Sequence, residues 1–172
     1  MTLKTIALSP RLREQIHFHG IATFPNECCG FLLAELKYPM ACQEACPERI
    51  VVSAVVPSEN LNTTRSNDRF DLAPQNYANI ESFLDQRRKG FSIVGIYHTH
   101  PRCPAYASAT DTEWALGTPE LFHLIQSIRD DGQDPAGGGA GIYPGEIKAF
   151  RVDLEAQKMI DVALDIDGRV KP

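Results

Sequence analysis

The sequence predicts an α/β domain: a mixed, curved β-sheet with two main helices packed on it and a third, short helix near the end of its strongest strand. Three observations predict it. Apolar runs of strand type recur at 30–34, 50–56, 91–97 and 121–128. Two segments, opened by Pro10 and Pro74, carry apolar residues at helical spacing. The two kinds of segment alternate only in part, which argues against a purely parallel sheet. A length of 172 residues suits one domain, 1–172, able to close its own core.

Taken in order, residues 3–8 read as a strand, and Ser9-Pro10 supplies an N-cap followed by proline at the first helical position. Leu12 and Ile16 share a face of the helix that follows, and Gly20 is its expected end. The runs 30–34 and 50–56 read as buried strands, the second rich in β-branched residues and closed by Pro57, with a polar connection over 37–49. Residues 60–71 are polar and irregular. Tyr77, Ile80 and Leu84 then mark a second helix, stopped by Gly90. The strand 91–97 runs directly into His98-Thr99-His100-Pro101, and Pro101 is expected to stop its ladder. Ser108-Ala109-Thr110-Asp111 has the form of a capping box and opens a short helix through Trp114 and Leu116. Later strands are expected at 121–128, 147–152 and 159–166, with a mobile Gly- and Pro-rich loop over 131–145. No internal repeat is visible.

Composition excludes several classes. With 43% apolar and 23% charged residues the chain is of soluble globular type. A net charge of -5 lacks the basic field that phosphate backbones require, so no nucleic-acid partner is expected. The cationic run Arg87-Arg88-Lys89 suits a helix C-terminus. No signal-peptide core and no membrane-length apolar run occur, so the expectation is a cytoplasmic protein without a membrane partner. The five cysteines, Cys28, Cys29, Cys42, Cys46 and Cys103, form no paired ligand sets and are expected as reduced thiols.

The five histidines include two His-x-His pairs. Residues two apart point to opposite sides of a helix but to the same face of a strand. His17 and His19, in the first helix, are therefore expected as a surface or partly packed pair. His98 and His100 close a strand, where two imidazoles converge on one ion. Asp111, in the first turn of the short helix, supplies a third donor and completes the count of a catalytic zinc site, with a fourth position left for water. It serves equally as a carboxylate at a helix N-terminus. Hydrolysis also needs a base, and Glu27 stands out as a charge placed next to an apolar run; alone it is an ordinary loop glutamate.

Glu27, then His98-Thr99-His100-Pro101, a six-residue gap, and Ser108-Ala109-Thr110-Asp111 together resemble the signature of the JAMM (MPN-plus) zinc metallopeptidases. The resemblance implies a three-layer MPN domain of cytidine-deaminase-like type and one zinc per chain, held by His98, His100 and Asp111. It implies Glu27 as general base and Ser108 as an oxyanion donor, a role Ser108 would share with capping the helix. Members of the family cut peptide or isopeptide bonds after the Gly-Gly end of ubiquitin-like β-grasp proteins. The start Pro25-Asn26-Glu27-Cys28-Cys29-Gly30, the stretch from Arg69 to Pro74 and the gap from Pro104 to Ser108 are similar to the bacterial branch, some of whose members process small sulfur carrier proteins.

Two positions depart from that pattern. Thr99 stands where serine is commoner. Cys103 lies in the gap, where a thiol is either a fourth ligand or regulatory group, or a small apolar residue. Two other readings stay open: a non-catalytic MPN-type scaffold that binds partners, and a zinc enzyme acting on a small-molecule amide. An exposed sheet edge pairing between chains would give a homodimer.

Overall fold

The computed structural model describes residues 4–36, 47–88, 90–131, 141–166 and 169–171. Cys42, Cys46, Lys89 and most of the stretches 37–49 and 131–145 lie outside the described residues. The elements are β1 Thr5–Leu8, α1 Pro10–Thr23, β2 Cys29–Glu35, β3 Arg49–Val51, β4 Ala54–Ser58, α2 Pro74–Arg87, β5 Phe91–Pro101, α3 Ala109–Leu116, β6 Phe122–Arg129, β7 Tyr143–Asp153, β8 Lys158–Ile166 and β9 Arg169–Lys171.

The strands form one mixed sheet in the order β3-β1-β8-β7-β6-β5-β2-β4, with β9 added beside β8. The β1/β3, β1/β8 and β5/β6 pairs are parallel and the others antiparallel. The strands at the two ends of this path, β3 and β4, are joined in the chain by Val52 and Ser53 alone, so the sheet must curl to bring its ends together. The expected single strand 50–56 is thus two. Val52 N–H donates to the Ala7 carbonyl on β1, and Ser53 N–H to the Leu33 carbonyl on β2, which hands the chain from one end of the sheet to the other.

Side chains alternate between two apolar layers, as the pleat requires. Ile6, Leu8, Leu32, Val94, Tyr97 and Leu124 pack with Ile16 of α1 on one face. On the other, Phe31, Leu33, Ile93 and Ile96 pack with Leu84 of α2, while Ile125 and Phe150 pack with Ala115 of α3. The result is helix, sheet and helices in three layers.

Ser9 caps α1, its Oγ accepting from Leu12 N–H at 3.4 Å, and Pro10 occupies the first turn. The helix does not end at Gly20 but runs to Thr23, whose hydroxyl donates back to the His19 carbonyl at 2.8 Å. Gly20 answers a packing need instead: a Cβ there would lie 2.7 Å from Ile128 Cδ1 and 2.8 Å from Thr99 Cγ2. Helix α1 could not lie this close to β5 and β6 with any other residue in place.

Pro101 does not stop the β5 ladder. Pairing with β6 continues to Pro101↔Ile128, whereas pairing with β2 ends at Cys29↔His98. Thr99 N–H donates toward β2 and Arg102 N–H toward β6. By alternation the missing N–H of Pro101 faces the side that β2 has already left, so nothing is lost. Strand β7 also begins earlier than its apolar residues suggest, taking in Pro144 and Gly145 beside a register shift between Gln126 and Ile128, where such residues fit.

Candidate metal site

Strand alternation turns His98 and His100 to one face of β5 and Thr99 to the other. Thr99 Oγ1 accepts from Cys28 N–H at 2.9 Å and its methyl meets Gly20 of α1. The capping box forms as its letters predict: Ser108 Oγ accepts from Asp111 N–H at 3.1 Å, and Asp111 Oδ2 accepts from Ser108 N–H at 2.8 Å. That cap fixes Asp111 on the first turn of α3, facing the histidines. Both of the roles the sequence offered for Asp111, cap and donor, are therefore geometrically compatible.

His98 Nε2 and His100 Nε2 lie 3.1 Å apart, Asp111 Oδ1 is 3.1 Å from His98 Nε2, and Asp111 Oδ2 is 3.4 Å from His100 Nε2. Ligand atoms ~2.0–2.1 Å from one ion in a tetrahedral set stand about 3.3 Å from each other, so this spacing fits a shared cation. His100 Nδ1–H donates to the Pro104 carbonyl at 3.2 Å, so the neutral ring, the form that binds a metal, turns its Nε2 lone pair into the cluster. All three side chains are buried. His98, His100 and Asp111 form the group of donors, among the described residues, that could hold a metal ion.

The surroundings set the charge states. Phe70 stacks on His98 with ring centroids 4.5 Å apart, and Trp114 flanks Phe70. Burial pushes the His98 pKa down. Burial opposes charge on His100 as well, but the hydrogen bond and negative charge of Asp111 outweigh it and raise its pKa. Asp111 is buried too, yet hydrogen bonds from His100 and His98 hold its carboxyl well below the usual carboxylate range. Among the described residues no hydrogen bond reaches the Glu27 carboxyl, and burial raises it to about 8 against the opposing charge of His100.

A cleft of about 80 Å³ reaches the cluster at His100, lined by Glu27, Asn67, Asp68, His100, Pro101, Cys103, Tyr106 and Ser108. Glu27 reaches it from the turn between α1 and β2, and Ser108 from the start of α3. Cys103 is exposed on the cleft wall, but its thiol is not among the donor atoms that lie within 4.8 Å of one another. Arg102, at φ 62°, turns the chain out of β5, and Ser127 Oγ donates to the Cys103 carbonyl at 2.6 Å, so the backbone here is anchored to β6. His17 and His19 are partly packed on the α1 side of the sheet, where His19 Nδ1 meets the Tyr97 hydroxyl at 2.8 Å.

The sequence offered Phe70 and Tyr106 only as letters of a family resemblance and Trp114 only as a helix residue; it placed none of them, nor the 60–71 segment, beside the histidines. Nothing periodic marks an irregular segment, and an aromatic residue in one reads as core. Among the described residues no helix is long and apolar enough to cross a membrane.

Residues 9–135 match the family of prokaryotic homologues of the JAB domain. No curated protein matches the chain. Two proteins whose structures were solved in solution are similar. One, from Desulfitobacterium hafniense, is 24% identical with a TM-score of 0.68 over 96% of this chain and 95% of its own. The other, from Salinibacter ruber, is 26% identical with a TM-score of 0.60 over 99% of this chain and 95% of its own.

Proposed function

The chain belongs to the prokaryotic homologues of the JAB domain, and from that membership and the buried His98, His100 and Asp111 cluster we propose that it is a zinc-dependent peptidase. Its substrate on this reading is the amide bond that follows the C-terminal Gly-Gly of a ubiquitin-like β-grasp protein, a small sulfur carrier protein above all. The observation that carries the proposal is the pairing of a metal-donor cluster with a buried carboxyl, Glu27, on the same cleft.

His98, His100 and Asp111 would hold the zinc, which would supply Lewis acidity and lower the pKa of a bound water toward neutrality. The protein's own groups do the rest. Glu27, whose side chain lines the same cleft as His100, is placed to take the proton of the attacking water as a carboxylate, the form a neighbouring cation favours, and to return it to the leaving amine. Ser108 Oγ accepts from Asp111 N–H, so its own O–H stays available to donate to the carbonyl oxygen as negative charge develops there. Phe70 and Trp114 shield the His98 side of the cluster from water.

The cleft beside His100 is narrow, about 80 Å³, and a cavity of about 530 Å³ adjoins it at Cys103, leaving room for a chain that runs past the cluster. An extended Gly-Gly tail needs only a narrow channel, which glycine's lack of a Cβ suits.

The test is intact-mass analysis of a sulfur carrier bearing a short peptide after Gly-Gly, incubated with the zinc-loaded protein and with its Glu27→Gln form. Loss of the extension with the native protein alone is the expected result. An intact substrate, with zinc bound, would move the reading to a partner-binding scaffold.

A further inference from the structure

Glu27 lies outside every strand and helix, so something other than a ladder must set where its carboxyl sits. Two bonds from the 60–71 segment hold its backbone. Glu27 N–H donates to the Ser66 carbonyl at 2.6 Å, and the Glu27 carbonyl accepts from Asn60 Nδ2 at 3.1 Å. Ser66 Oγ also donates to Asn26 Oδ1 at 2.8 Å.

Asn60 is the knot of this arrangement. Its Nδ2 donates a second time, to the Arg69 carbonyl at 2.9 Å. Its Oδ1 accepts from Asn62 N–H at 2.9 Å and from Asp71 N–H at 3.0 Å. The two donors face two carbonyls and the oxygen faces two N–H groups, so the orientation of the amide is fixed by its partners and its capacity is full. One side chain thereby ties the start of the segment to its end, and both to Glu27. Leucine could make none of these bonds, and aspartate would turn an oxygen toward two carbonyl oxygens.

We propose that Asn60 is the positioning residue for Glu27: through the Glu27 carbonyl and the closed 60–71 segment it holds the carboxyl over the His98, His100 and Asp111 cluster. The catalytic half of this inference rests on the peptidase reading; the structural half does not. Asn60 touches no metal donor, so its loss spares the metal and costs the placement of the base.

The experiment compares Asn60→Asp, Asn60→Ala and Asn62→Ala in the zinc-loaded full chain. It reads amide hydrogen exchange, zinc content, and kcat and KM on the carrier with a peptide after Gly-Gly. Both Asn60 variants are expected to speed exchange at Glu27 N–H by about tenfold or more, with the His98 and His100 amides still protected and zinc still bound. They lower kcat about 10- to 100-fold, the scale of a misplaced catalytic group, and leave KM within about twofold. Unchanged protection at Glu27, protection lost throughout β5, or an equal effect from Asn62→Ala would each overturn the proposal, the last because it assigns the role to order in the segment at large. Should the native protein leave the carrier uncut, the peptidase reading fails and the exchange rates still decide whether Asn60 holds Glu27.

Discussion

The hydroxyl of Thr99 accepts a hydrogen bond from the backbone N–H of Cys28 at 2.9 Å, and so ties the residue between the two histidines to the residue that follows Glu27. Thr99 N–H returns a bond to the Cys28 carbonyl at 3.1 Å. Both residues are fully buried, so no water replaces a lost partner. Thr99→Val keeps the shape and removes the acceptor, leaving Cys28 N–H unpaired, and is expected to cost about 1–3 kcal/mol. Thr99→Ser keeps the acceptor and loses only a methyl against Gly20, about 1 kcal/mol. Denaturant unfolding of the metal-free forms checks the order; a Thr99→Val form as stable as the native protein would show that the hydroxyl contributes nothing.

Gly20 gives a second prediction on the same contact. Gly20→Ala gains up to ~1 kcal/mol of helix propensity, but its Cβ would fall 2.7 Å from Ile128 Cδ1 and 2.8 Å from Thr99 Cγ2. Both neighbours are buried with little room to move. Overpacking at about 1–3 kcal/mol should win, lowering the midpoint of thermal unfolding. A rise in the midpoint would mean that α1 shifts away from β5 freely.

The alternation of His98, Thr99 and His100 was legible because a strand has a period of two, and the capping box because its four letters bond one another locally. What the sequence hid depends on distant partners. Gly20 reads as a helix terminator until Thr99 and Ile128 are seen against it. Val52 and Ser53 look like the middle of one strand, since the switch from Ala7 on β1 to Leu33 on β2 lies in the curl of the sheet and Ser53 is the one polar residue in the otherwise apolar run 50–56. Asn60 looks like loop filler because its four partners lie up to 33 residues away.

Metal binding should separate the donors from their neighbours. His98→Ala and Asp111→Asn are expected to reduce bound zinc from about one per chain to near none, while Cys103→Ala, whose thiol stands outside the donor cluster, keeps it. Removing zinc with a chelator should lower the melting temperature of the native protein, by an amount set by metal concentration over Kd and worth ~2.7 kcal/mol at a hundredfold excess over Kd. Elemental analysis and calorimetry read both. Zinc lost with Cys103→Ala would put the thiol in the first coordination sphere after all.

Glu27 sets stability and chemistry against each other, with a definite sign in pH. Its ordinary value is 4.5 and burial raises it to about 8 in the folded protein. Between those values the folded chain keeps a proton that the unfolded chain has released, so the stabilisation is complete below about 4.5 and is lost as pH rises to about 8. Glu27→Gln stays neutral throughout. In the metal-free protein it should therefore match the native stability near pH 4.5 and exceed it at pH 8 by on the order of a few kcal/mol. Zinc shrinks the difference, because a cation beside the carboxyl favours its charged form. On the proposed peptidase reading the same substitution removes the base and should abolish cleavage. Unfolding curves for both proteins, with and without zinc across this range, measure the effect; a native protein as stable at pH 8 as the Glu27→Gln form would mean that the carboxylate meets no penalty where it sits, and that its burial is relieved by a group other than the metal.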